Sequence, residues 1–367
     1  MLTSELETSS LVLEDEDIDS SKSTNLSTDQ ISLEFTDEDI DSIGDKAEDV
    51  TQDFIDTAAE ALLTEIKRIA PTMLKEQWRE QQGFEKRLRE RWKRPLDLLD
   101  LFISIATEAG SDFNSEFRND AACSGDAVFE AHTRLHARAC QVSSEILILL
   151  RSGYADGAHA RWRTLHEIAV VGYAIGEHGP ELAERYLLHD IIQVYKSARH
   201  YQKYHARISY EPLSQQEFQD IKSECDKLVH RFGKPFKSDY GWAASVIGSD
   251  RPRFSDIEEH VALDHMRPYY RMASDNVHAN THGAYHRLGL STQGRDRVLL
   301  AGPSNMGLAD PGHATAISLS QITIAFLTTR STVANVVILK ILQELEDEIG
   351  KTFLKVHDEL ESLVEEA

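Results

Sequence analysis

Between Asp264 and Leu290 the chain reads DHMRPYYRMASDNVHANTHGAYHRLGL, its densest gathering of side chains able to do chemistry. At ~100° per residue, Arg271, Ser274, Asp275, His278 and His282 share one helical stripe, while Met266, Tyr270, Ala273, Val277, Ala284 and Leu288 share another. One side can pack and the other can react. A second chemical pair, Arg163 and Glu167, stands four residues apart with His166 between them. Two further readings compete. His278, His282 and His286 repeat at i, i+4 and i+8 and could ligate a metal with Glu167 from a facing helix. Alternatively Arg271 and Asp275 form an i,i+4 ion pair and His278 hydrogen-bonds within a bundle.

The elements that must hold these groups are helical throughout. Phe54, Ala58, Ala61, Leu62, Ile66 and Ile69 give a helix from Val50 to Ala70, which Pro71 ends or kinks. Residues 75 to 94 carry eight basic and four acidic side chains around Trp78, Phe84 and Trp92, a solvated amphipathic helix in preference to a nucleic-acid face. Pro95 sits in the first turn of the next helix, and residues 110 to 125 read as a loop. The strongest periodicity runs from Ala127 to Leu150, followed by a helix from Ala158 to Ile175 that carries Arg163 and Glu167. Pro180 opens another helix reaching towards His205 with a basic end, and Ser214 with Glu217 forms a capping box opening a helix to Phe232. Residues 290 to 312 read as a loop with a short strand at Val298 to Ala301. Two helical stretches, His313 to Leu345 and Asp347 to Glu366, close the chain as a hairpin or as one interrupted helix.

The fold class is therefore all-α, a helical bundle preceded by an acidic arm. We divide it into the arm (1–48), an N-terminal helical region (50–125), a core helical domain (126–290) and a loop plus C-terminal hairpin (291–367). The first fifty residues hold 16 acidic side chains against Lys22 and Lys46, a net of −14 out of the chain's −23. Such a segment buries too little apolar surface to offset the entropy of ordering, so it is expected to be disordered, solubilising or able to dock on a basic protein surface. Cys123, Cys140 and Cys225 are scattered without a C-x-x-C pair, which argues against a disulfide framework and for a reducing, cytoplasmic setting. The amino terminus lacks the pattern of a secretory signal. The apolar run from Ala314 to Thr329 suits a buried helix better than a membrane span. No glycine-rich phosphate loop occurs, which removes the common nucleotide-binding readings.

Two segments, LLRSGYADGAHARWRTLHEIAVVGYAI and YYRMASDNVHANTHG, together resemble a bacterial helical family catalogued as domain of unknown function 5677. The likeness covers roughly residues 130 to 290 and rests on Arg163-x-x-x-Glu167 and on Tyr270-Arg271-x-x-Ser274-x-x-x-His278. The second segment also resembles the R-x4-6-H signature of HEPN ribonucleases, helical proteins of toxin-antitoxin and phage-defence systems, although Met272 stands where those enzymes often have Asn, Asp or His. The HEPN resemblance implies RNA as substrate and a homodimer with a composite cleft. Seven positions make two helical turns, ~10 Å along the axis, so both side chains would reach one phosphodiester. His278 would exchange protons with the ribose 2′-hydroxyl or the leaving oxygen and Arg271 would stabilise charge on phosphorus, with no metal or other cofactor. Ser274, Asp275, Arg163 and Glu167 complete the expected site. The alternative is a non-catalytic helical interaction protein of a defence or regulatory system.

Overall fold

The computed structural model describes residues 47–279, 281–290 and 299–365, and these are helices and their connections, with no strand. The chain divides into two compact units, residues 1–76 and 77–367. Among the described residues the first unit is the leading part of α1 (Ala47–Arg91). Pro71 does not end α1, which runs through it to Arg91. Pro71 and Lys67 are both exposed, so water can satisfy the carbonyl that the proline leaves without a donor. Phe54, Ile55, Leu62, Leu63, Ile66, Met73 and Leu74 are all exposed on this stretch.

In the second unit the core is built from α2 (Lys93–Ser124), α3 (Ala127–Arg151), α4 (Ala155–Leu188), and two late helices numbered below. Residues 110–125, expected as a loop, continue α2 to Ser124, and the turn comes only at Gly125, whose φ of 65° supplies the left-handed cap. Tertiary packing overrides the weak local signal there. Gly110 lies against the buried His136 ring, where a Cβ would come within 2.3 Å, and Phe113 packs on Phe129 and Phe326. Asp126 caps α3 by accepting from the Phe129 N–H at 3.0 Å.

α4 is two helices joined at Gly179 (φ 70°, ψ −151°) and Pro180, a break that the expected start at Pro180 anticipated. Beyond it come α5 (Asp190–Tyr204) and α6 (Gln215–Phe232), which pack on each other. The Ser214–Glu217 capping box forms as read, with bonds of 3.2 and 2.9 Å. Short helices follow: α7 (Ala244–Ile247), α8 (Phe254–His260), α9 (Arg267–Asp275) and α10 (Thr281–Tyr285). α8 and α9 both pack on α4.

The final pair is α11 (Ala309–Leu327) and α12 (Val333–Glu365). Their break falls at residues 328–332 rather than at Glu346, where Thr328 and Thr329 turn their hydroxyls back onto the Ile324 and Phe326 carbonyls at 2.7 Å. α11 packs against α2, α3, α4 and α12 and is buried on most of its circumference, as a charge-poor helix should be. No described helix is long and apolar enough to cross a membrane. Leu299–Ala301 is irregular rather than strand, and Val298 lies outside the described residues, as do residues 1–46 of the acidic arm. The three cysteines are free thiols, Cys140 and Cys225 buried and Cys123 exposed.

Candidate functional site

α4 presents His159, Trp162 and His166 along one buried stripe, and their rings stack in sequence with centroids 5.5 and 5.3 Å apart. Trp162 fixes the stack by donating from its indole Nε1 to the Ala314 carbonyl (2.9 Å) and to Ser318 Oγ (3.0 Å) of α11. His166 Nε2 donates to Glu258 Oε1 on α8 at 2.7 Å, and both side chains are fully buried. The other Glu258 oxygen pairs with the Arg267 guanidinium at the start of α9. A buried carboxylate is costly unless charge and hydrogen bonds surround it, and here a cation and an imidazole N–H do so. Burial first, and then the nearby Arg267 charge, lowers the His166 pKa to about 4, so the ring stays neutral with its proton on Nε2.

A second layer sits beside this one. Glu167 Oε1 accepts from the Tyr270 hydroxyl and from Arg163 Nε, the latter at 3.2 Å. The Arg163 guanidinium lies 4.8 Å from the Tyr270 ring centroid and the Arg267 guanidinium 5.2 Å from it. Burial, with the Glu167 carboxylate adding to it, raises the Tyr270 phenol well above its ordinary value and keeps it a neutral donor. Arg163 and Glu167 thus pair as their spacing indicated and tie α4 to α9 through Tyr270.

The continuous helix expected from Asp264 to Leu290 is not what forms. A single turn at Asp264–Met266 leads into α9, which stops at Asp275, and a turn over residues 276–279 separates it from α10. Pro268 in the first turn suits the start of α9, while Asn276 and Asn280 are weak helix formers that favour the break. Met266, Tyr270 and Ala273 pack as read, but Val277 is exposed because the helix has already ended.

Arg271, near the end of α9, and His278, in the turn after it, are both exposed. Ser274 donates from Oγ to the Tyr270 carbonyl at 2.8 Å, and its own carbonyl accepts from the His278 N–H at 3.1 Å. Asp275 faces His282 Nε2 at 3.8 Å, and the His282 and His286 rings lie 4.1 Å apart. His159, Asp275, Asn276, His282 and His286 line a cavity of about 50 Å³. His159 is fully buried there with neither ring nitrogen hydrogen-bonded among the described residues, and burial lowers its pKa to about 4. Groups of three metal-capable donors gather, among the described residues, at Glu177, His178 and His260 and not at His278, His282 and Glu167.

Sequence reading missed Glu258, Arg267 and His159. For His159 a signal existed, the i, i+3, i+7 spacing with Trp162 and His166 on one stripe. Glu258 and Arg267 carried no such signal, since they pair with each other across the turn between α8 and α9 and Glu258 meets His166 from 92 positions away.

Residues 129–295 match the model of a family of unknown function, DUF5677. That span holds α4, α8, α9 and both polar layers, as the two quoted segments implied. No curated protein and no solved structure matches the chain.

Proposed function

We propose that the α9 edge cleaves RNA phosphodiester bonds without a metal. The observation that carries this reading is that two exposed groups of complementary chemistry, Arg271 and His278, stand seven positions apart on a short helix and the turn after it, whose base is pinned by Tyr270, Glu167 and Arg163. His278 takes the proton of a ribose 2′-hydroxyl, the freed oxygen attacks phosphorus, and the bond to the 5′-oxygen breaks to leave a 2′,3′-cyclic phosphate. Arg271 stabilises the charge on the non-bridging oxygens. A homodimer supplies the second imidazole that protonates the departing 5′-oxygen. Ser274 and Asp275 shape the turn that aims His278, while Arg163 and Glu167 act only through Tyr270.

RNA also needs a cationic surface on so acidic a chain. The end of α5 offers one, with Arg199 beside Tyr195, and Lys203 and Arg207 beside the exposed ring of Tyr204, a combination that suits unpaired bases. The biological setting that fits is a cytoplasmic toxin-antitoxin or phage-defence system. A second reading, a non-catalytic interaction protein, is favoured by the exposed apolar side chains of α1.

The test is bulk RNA incubated with the purified chain in EDTA, beside His278→Ala and Arg271→Ala. Cleavage by the wild type that falls roughly 100- to 10,000-fold in His278→Ala, with an unchanged melting curve, supports the proposal. No cleavage by the wild type, or equal cleavage by His278→Ala, removes it and leaves the interaction reading.

A further inference from the structure

We infer that Glu177, His178 and His260 form a binding site for a divalent transition-metal ion of the zinc type, which clamps α8 onto α4. His178 is the residue before the break in α4 at Gly179, and His260 is the last residue of α8. They are 82 positions apart in the chain, yet their Nε2 atoms face each other at 2.7 Å with ring centroids 4.9 Å apart. The Glu177 carboxylate completes the set, and one donor atom from each of the three lies within 4.8 Å of the others.

Two imidazole nitrogens and one carboxylate oxygen are the donor set that zinc accepts at about 2.0–2.2 Å, with water in the fourth position. A tetrahedral ion would hold the two nitrogens roughly 3.3 Å apart. The rings must therefore open slightly, and this costs little because Glu177 and His260 are exposed and His178 is half-buried. Without a metal, two facing Nε2 atoms can share only one proton, so one ring must take the less common tautomer to accept it. A metal displaces that proton and satisfies both lone pairs together.

The position gives the site a consequence. Glu258, which holds His166 and Arg267 in the buried layer, sits on α8 two residues before His260. An ion held between His260 and the α4 residues would resist separation of α8 from α4 and so steady the floor of α9. This site lies outside the proposed cleavage chemistry, which runs in EDTA, so either proposal can fail without the other.

The experiment is calorimetric titration of ZnCl2 into the full chain after EDTA treatment and desalting. The variants compared are the wild type, His178→Ala with His260→Ala, Glu177→Gln, and His282→Ala with His286→Ala, the last because those two neighbouring imidazoles could also take zinc. The inference expects one equivalent bound by the wild type and by the His282/His286 variant, none by the His178/His260 variant, and at least tenfold weaker binding by Glu177→Gln. Circular dichroism checks that each variant is folded. If the His178/His260 pair fails to fold, His260→Gln alone is titrated and must lose the equivalent. A wild type that binds no zinc, or a folded His178 or His260 variant that keeps its full equivalent, overturns the inference. A rise in wild-type melting temperature with zinc that His260→Gln lacks supports it.

Discussion

α4 and α8 meet through a histidine twice. At His166 and Glu258 the contact is fully buried, flanked by Trp162, Phe254 and Tyr270, and closed by Arg267. At His178 and His260, twelve residues further along α4 and two along α8, the same two helices bring a histidine pair and Glu177 together at the surface. The residue types are nearly the same and the physics differs. In the dry contact, desolvation holds His166 neutral and fixes its Nε2 on the Glu258 carboxylate that Arg267 also pairs with, so the group specifies how helices dock. In the wet contact water competes for each donor, the arrangement contributes little to folding, and the lone pairs stay available to a ligand.

Acid should separate the two most strongly. His136, His159 and His166 have pKa values lowered to about 4 by burial, against about 6.5 in an unfolded chain. Between those values the unfolded state binds more protons, so stability is full above pH ~6.5 and falls as the pH drops towards 4, by up to about 1.4 kcal/mol per pH unit for each ring. Urea midpoints measured from pH 7 to 4 should fall steeply in the wild type, and a flat profile would break the contrast.

Removing one member of the dry contact comes next. Glu258→Ala leaves His166 and Arg267 without their carboxylate and should destabilise by about 3–5 kcal/mol in chemical denaturation. A loss below about 1 kcal/mol would mean that the buried layer is not a packing determinant. Tyr270→Phe removes one donor to Glu167 but leaves Arg163 on that carboxylate, so about 1–2 kcal/mol is expected, with any RNA cleavage reduced but not abolished. The smallest effect belongs to the wet contact. In metal-free buffer His260→Ala should change stability by less than about 0.5 kcal/mol, and a cost like that of Glu258→Ala would erase the distinction.

The secondary structure was legible where a single helix carries its own signal. The stripe of α3, the capping box of α6, the charge-poor α11 and the i,i+4 spacing of Arg163 and Glu167 are local patterns, and local patterns survive folding. Misreadings arose where a neighbour decides. α2 runs through residues 110–124 because the Gly110 surface accepts His136 and Phe113 enters an aromatic cluster, and neither partner is near in the chain. The 264–290 segment, periodic on paper, breaks at Asp275, so the reactive stripe is divided between a helix, a turn and a second short helix.

The amino-acid sequence by itself determined that the described chain is helical, where α3 and α6 begin and end, and which residues on α9 are polar. Only the tertiary structure decided which polar groups are dry. Whether a histidine becomes a neutral strut like His166 or an open ligand like His260 depends on the water left around it, and that is set by residues dozens of positions away.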